Sequence, residues 1–269
     1  YFWGEGIRED KREAVKWYLL AAGQGDAEAQ RILGDCYSWG EGIREDKREA
    51  VKWYRLAAEQ GDAEAQRILV DCYKRQGDCY FLGEGIREDK REAVKWYRLA
   101  AEQGDAEAQR ILGDCYFWGE GIREDKQEAV KWYRLAAEQK NAEARWRLGS
   151  CYYFGTGIRE DKQEAVKWYR LAAEQGNAEA QWRLGDCYFW GEGIREDKQE
   201  AVKWYRLAAE QGNAKALKEL GDCYFWGEGI REDKQEAVKW YRLAAEQKNA
   251  EARWRLGSCY YFGTGIRED

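Results

Sequence analysis

The string Glu-Ala-Val-Lys-Trp-Tyr occurs seven times in this chain, its alanine falling at Ala14, Ala50, Ala93, Ala129, Ala165, Ala201 and Ala237. The steps between them are 36, 43, 36, 36, 36 and 36 residues. A fixed period of about 20–50 residues marks an array in which each unit buries its apolar face only against its neighbours. The expectation is a solenoid forming one elongated domain over residues 1–269. Such an array presents the same chemistry seven times, not one unique catalytic constellation.

The segment Asp26–Gly61 shows what each unit contains. Asp26 is an N-cap candidate after the helix-ending Gly25, and Ala27–Trp39 reads as a first helix, helix A. Ala29, Leu33, Cys36 and Gly40 lie near helical spacing on one apolar stripe. Gly40-Glu41-Gly42 breaks the helix, and Ile43 is expected to anchor the loop. Asp46-Lys47-Arg48-Glu49 reads as a capping box with Asp in place of Ser or Thr. Helix B then runs to Gln60, with Lys52, Arg55 and Glu59 on a polar stripe and Ala50, Trp53, Tyr54, Ala57 and Ala58 packing elsewhere. The chain has no proline and few β-branched residues, so the expected fold is all-α.

Glycine recurs in mid-helix at Gly34, Gly113, Gly149, Gly185, Gly221 and Gly257. Glycine there costs about 1 kcal/mol relative to alanine. Its repetition points to close helix approach, with Trp53/Tyr54-type side chains filling the adjacent space as core.

The order AEAQ…LG..Y..G.GI….EAV.WY..AAEQG closely resembles Sel1-like repeats, relatives of the tetratricopeptide repeat. The 36-residue period and the extended Gly-Glu-Gly-Ile loop favour the Sel1 type over the period of about 34 typical of tetratricopeptide units. The resemblance covers essentially the whole chain. It implies a right-handed superhelical α/α solenoid of about seven 36-residue helix-turn-helix repeats, one of them extended by seven residues. It also implies a role as an adaptor or assembly scaffold. Two features depart from the family pattern. The loop carries Arg-Glu-Asp where members usually carry a proline that stiffens it. Some secreted relatives pair two cysteines in each repeat, whereas this chain has one, so the resemblance supplies no disulfides.

Net charge is −6 and no basic stripe exists, which argues against nucleic acid as a partner. No apolar run approaches the roughly 18–20 residues that span a bilayer. The cysteines are Cys36, Cys72, Cys79, Cys115, Cys151, Cys187, Cys223 and Cys259. Equivalent positions in neighbouring repeats lie about 8–10 Å apart, beyond the ~7 Å reach of a disulfide. Cys72 and Cys79 would be about 10 Å apart along one helix. The cysteines therefore read as small buried hydrophobes, and unpaired thiols favour a reducing compartment.

Enzymatic chemistry finds little material. There is no histidine, which excludes His-based nucleophilic triads and His-metal sites. The only hydroxyls of serine and threonine are Ser38, Ser150, Ser258, Thr156 and Thr264. The Arg-Glu-Asp-Lys loops lack calcium-loop spacing, and Gly-Glu-Gly is no phosphate loop. No catalytic residue, cofactor or metal is expected.

Two irregularities break the repeat. The 43-residue step adds seven residues near 71–80, with Val70 in the glycine position before the addition and Gly77 restoring it after. Seven residues drift helical phase by only about 20°. Helix A of this unit is therefore either longer by about 10 Å with its apolar face kept inward, or broken at Gly77. Leu112–Asp161 is also identical to Leu220–Asp269, a displacement of three repeats that points to tandem duplication. Lys215, Leu217, Lys218 and Glu219 depart from the local pattern and read as drift.

Offsets of 4, 3 and 4 place Glu179, Arg183, Asp186 and Trp190 on one face of a helix A. The corresponding sets are Glu143, Arg147, Ser150 and Phe154, and Glu251, Arg255, Ser258 and Phe262; Trp39, Asp114, Trp118, Asp222 and Trp226 occupy the same face in other repeats. In helical-hairpin arrays this face lines the concave side, so these residues form the candidate surface for a protein or peptide partner. The competing reading is that the tryptophans pack against the loop or next repeat. Tyr1-Phe2-Trp3-Gly4 matches a mid-helix segment and Asp269 a helix cap, so the chain reads as part of a longer array, or as a unit stacking end to end through uncapped ends. The second possibility makes a structural fibre subunit the alternative to an adaptor.

Overall fold

The computed structural model describes residues 9–84 and 87–266, so the expectations placed on Tyr1–Gly4 and Asp269 lie outside the described residues. Among the described residues there are fourteen α-helices and no strands. The A helices are α2 (Ala27–Trp39), α4 (Ala63–Leu82), α6 (Ala106–Trp118), α8 (Ala142–Phe154), α10 (Ala178–Trp190), α12 (Ala214–Trp226) and α14 (Ala250–Tyr261). The B helices are α1 (Lys11–Gly23), α3 (Lys47–Glu59), α5 (Lys90–Glu102), α7 (Lys126–Glu138), α9 (Lys162–Ala173), α11 (Lys198–Glu210) and α13 (Lys234–Glu246). The fold is thus the all-α, helix-turn-helix repeat of a solenoid. Packing divides it into two compact units: one runs to Cys115 and takes in Gly119–Arg123, the other comprises Tyr116–Trp118 and the chain from Glu124.

Helix starts follow the sequence signals. Asp46 caps α3 by accepting from the backbone N–H groups of Arg48 and Glu49, and Asp26 caps α2 by accepting from Ala29. Each such cap stabilises its helix by about 1 kcal/mol. The capping box at Asp46 forms only halfway. Glu49 turns to Lys52, and the Asp46 N–H donates to the carbonyl of Tyr37 at 2.9 Å. That bond ties the start of helix B to the preceding helix A and holds the loop without proline.

In the loops whose second glycine is described, that glycine fixes the loop to the preceding helix B. Gly42 has φ +70°, and a Cβ there would collide with the carbonyl of Lys11; Gly193 meets Lys162 and Gly229 meets Lys198 in the same way. Beside these contacts, Lys162 pairs with Glu192 at 2.7 Å and Lys198 with Glu228 at 2.8 Å. Ile43 is half-buried against the core, as expected of a loop anchor. Gly40, expected on the apolar stripe, is instead an exposed left-handed cap at φ +71°.

Among the described residues, core clusters draw on consecutive helices. One joins Trp182 and Phe189 of α10 to Ala201–Ala209 residues of α11, Leu217 and Leu220 of α12, Ala244 of α13 and Ala252 of α14. The mid-helix glycine sits against the tyrosine of helix B: Gly185 against Tyr205, Gly77 against Tyr97. Trp53, Trp204 and Trp240 pack against core clusters as the filler expected of them.

The seven added residues lengthen α4 to 20 residues without a break at Gly77. Its two halves keep different registers. Tyr73 accepts from Arg55 of α3, while Asp78 accepts from Tyr97 of α5 at 2.8 Å. Two extra turns let one helix present the regular contact to each neighbour at two points along its length. Ala65, Leu69, Tyr73 and Gly77 form its buried stripe.

Candidate functional site

The residue directly before the left-handed glycine that closes each described helix A turns outward. Trp39 and Leu82 in the first unit are exposed, as are Trp118, Phe154, Trp190, Trp226 and Phe262 in the second. Trp190 is 69% exposed and Trp226 57%, so these rings are not buried in the loop or the next repeat. Where the preceding residue is aromatic the two rings pack edge-on, as in Phe189–Trp190 at 4.8 Å and Phe225–Trp226 at 4.7 Å between ring centroids. The lysine opening the next helix B stands over these aromatic pairs, Lys126 lying 5.5 Å from the Trp118 ring and Lys47 5.4 Å from Trp39.

The charged members of the face are tied into the protein. In α10, the Arg183 guanidinium lies 4.2 Å from the Trp182 ring and 5.4 Å from Phe154. Asp186 accepts from the Tyr205 hydroxyl at 2.8 Å, and Asp222 from Tyr241 at 2.5 Å. The carboxylates at this position therefore receive the buried tyrosine that fills the glycine notch. Ser150 does the same for Tyr169 at 3.2 Å. Glu143 and Glu179 accept from Asn177 and Asn213, the caps of the next helix A, at 3.0 and 2.8 Å. Arg147 pairs with Glu143 at 3.3 Å and Arg255 with Asp222 at 3.1 Å. Asp114 pairs with Arg110 in α6. What the face leaves free is chiefly aromatic surface, set on a rigid ionic frame.

Sequence reasoning passed over α12. Lys218 is buried, with its Nζ 2.9 Å from Glu219, 3.2 Å from Asp222 and 3.1 Å from Glu251. Lys215 stacks 4.2 Å from the Trp182 ring. Residues read as drift thus link α12 to the A helices on both sides, a role signalled only by their joint appearance in one helix.

All eight cysteines are free thiols. Six are buried, and Cys72 and Cys79 are partly so. Burial pushes Cys115, Cys187 and Cys223 up to about 12, which holds them as unreactive thiols at neutral pH. Among the described residues no helix is long and apolar enough to cross a membrane.

Solved structures with a similar fold include the following two. A protective antigen of uropathogenic Escherichia coli, c5321, is 32% identical over all of this chain and 64% of its own, with a TM-score of 0.59. A Sel1 repeat protein of Oxalobacter formigenes is 32% identical over 96% of this chain and 72% of its own, with a TM-score of 0.64. The chain thus spans less than two thirds of the E. coli antigen. No curated protein sequence matches it. The Sel1 repeat profile matches residues 1–26, 27–62, 75–105, 106–141, 142–177, 178–213, 214–249 and 250–269. The stretch it leaves out, 63–74, is the part of α4 that keeps register with α3, ahead of the Gly77 contact to α5. Proteins built from such repeats generally serve as scaffolds for protein–protein interaction. By the repeats that fill its length, this chain belongs to the Sel1 repeat family.

Proposed function

We propose that the chain is a non-enzymatic adaptor that binds a protein or peptide partner along the helix A face. The exposed aromatic at the end of six of the seven described A helices carries this reading: Trp39 in the first unit, and Trp118, Phe154, Trp190, Trp226 and Phe262 in the second. An exposed tryptophan costs solubility, and a repeated one is costly unless something covers it. Aromatic rings on rigid supports are also the side chains that contribute most to binding when a partner desolvates them. Arg147, Arg183 and Arg255, held by Glu143, Asp186 and Asp222 with their rings, provide that support.

The test pairs two measurements. A soluble quencher should reach Trp118, Trp190 and Trp226 in the free chain and be excluded when a partner binds. Replacing these three by alanine should abolish capture of that partner while leaving the helical circular dichroism unchanged. Capture that survives the triple replacement sinks the reading.

A fibre subunit is the second reading, supported by the near-identity of the repeats, of which Leu112–Asp161 and Leu220–Asp269 are the extreme case. Sedimentation separates the two, since a fibre grows with concentration and an adaptor remains a discrete species.

A further inference from the structure

Four residues set α12 apart: Lys215, Leu217, Lys218 and Glu219 stand where α10 has Glu179, Gln181, Trp182 and Arg183. In α14 the arginine of this position, Arg255, reaches back to Asp222 of α12 at 3.1 Å. In α12 the same position is Glu219, which acts on Asp186 of α10 as a like charge. Glu219 thus stands, by the offset that brings Arg255 to Asp222, on the side of α12 that faces Asp186, and puts a like charge where the following repeat has an ion pair. Lys218, 8% exposed, contacts Glu219, Asp222 and Glu251 and partly offsets the repulsion.

Every helix packed here contributes charge or polarity. From α10 come Arg183 and Asp186, from α12 Lys218, Glu219 and Asp222, and from α14 Glu251 and Arg255. Tyr205 of α11 donates to Asp186 and Tyr241 of α13 to Asp222. Lys215 and Glu179 form a separate pair at 3.6 Å on the rim, and the thiols of Cys187 and Cys223 border the cluster. Four carboxylates face three cations, which leaves one negative charge in excess.

We propose that this cluster is a proton-responsive clamp on α10, α12 and α14, in which one proton taken up by the Asp186 and Glu219 pair balances the charge and draws the three helices together. The environment of both groups supports it. Burial pushes the Asp186 carboxyl up to about 6, with Glu219 adding to the rise. Burial likewise raises Glu219, against the pull of Lys218. Two interacting carboxyls take up their proton as a pair. Each holds a proton more tightly in the folded chain than in the unfolded one. The stabilisation is therefore complete below the ordinary carboxylate range and fades as pH rises through about 6.

Amide hydrogen exchange on the whole chain tests this, with protection expressed relative to the unfolded rate at each pH. Between pH 7.5 and pH 5, opening of α12 and α14 should become rarer by about tenfold, one unit of proton affinity, while α1 and α3 change little. Glu219→Arg gives α12 the residue of α10 and α14, places an arginine beside Asp186, and should remove the difference. Glu219→Gln removes the charge without changing size, leaves the burial of Asp186 in place, and should shrink the difference while raising the protection of α12 at pH 7.5. Equal protection of the unaltered chain at both pH values overturns the proposal, as does an undiminished shift in either variant or one spread evenly over all the helices.

Discussion

Gly185 lies so close to Tyr205 that a Cβ on it would fall 2.6 Å from two carbons of the ring. The ring has nowhere to go, because Tyr205 is buried and its hydroxyl is held by Asp186. Alanine at this position should gain up to about 1 kcal/mol in helix propensity and lose about 1–3 kcal/mol to overpacking. Gly185→Ala is therefore expected to destabilise the chain by up to about 2 kcal/mol in urea unfolding once the propensity gain is set against the overpacking. Gly23, in α1, meets nothing within 4 Å of a built Cβ. Gly23→Ala should stabilise by about 0.5–1 kcal/mol, so opposite signs are expected for the same substitution in two helices.

The turn from helix B to helix A needs a left-handed residue. Gly25, Gly61, Gly104, Gly176 and Gly212 supply it, with φ between +82° and +93°. Lys140 and Lys248 occupy the same point of the turn at φ 68° and 64°. A side chain in this region costs about 1 kcal/mol or more. Lys140→Gly and Lys248→Gly should each raise stability by about 1 kcal/mol, read as a higher urea midpoint with an unchanged slope. No gain in either variant would show that the lysines make compensating contacts.

Helix pairs, caps and the glycine notch were legible because each rests on residues close in sequence or repeated at one register. Asp26 and Asp46 announce their helices locally, and Gly34 acquires meaning from its recurrence. The length of α4 was half legible: a seven-residue addition keeps helical phase, but only the contacts of Tyr73 and Asp78 reveal the two registers. The face around Glu179, Arg183 and Trp190 followed from helical spacing. The sequence did not reveal that Asp186 serves Tyr205 or that Lys218 reaches Glu251. Those contacts join helices 19 and 33 residues apart and depend on three-dimensional placement. Gly40 was misplaced because spacing alone does not distinguish the last buried turn from the cap that follows it.

The ion pair between repeats offers a test in reverse. Lys162 and Lys198 find Glu192 and Glu228 in the next loop, whereas Lys126 faces Thr156 at the corresponding position. Lys126 turns instead to Glu124 at 3.2 Å. The loop geometry is already in place, because Gly157 sits on the Lys126 carbonyl as Gly193 sits on that of Lys162. Thr156→Glu should therefore add a partly exposed pair that stabilises by about 0.2–1 kcal/mol. The gain should shrink in high salt. A gain that persists unchanged in 1 M salt would mean the glutamate acts through packing.

The added turns of α4 separate two deletions of equal length. Removing residues 70–76 leaves Leu69 followed by Gly77 and restores the regular Ile-Leu-Gly-Asp-Cys-Tyr order of a 13-residue helix A. Removing 71–77 leaves Val70 before Asp78, placing a branched side chain in the notch that Gly77 gives to the Tyr97 ring. A Cβ at Gly77 already falls 2.5 Å from that ring, so valine there forces the ring or the helix to move. The first deletion should fold with a cooperative transition, whereas the second should be less stable by about 1–3 kcal/mol. Adding Val70→Gly to the second deletion should recover the loss. Equal stability of the two deletions would show that α5 can shift along α4, and that the glycine–tyrosine contact does not set the register of the following helix.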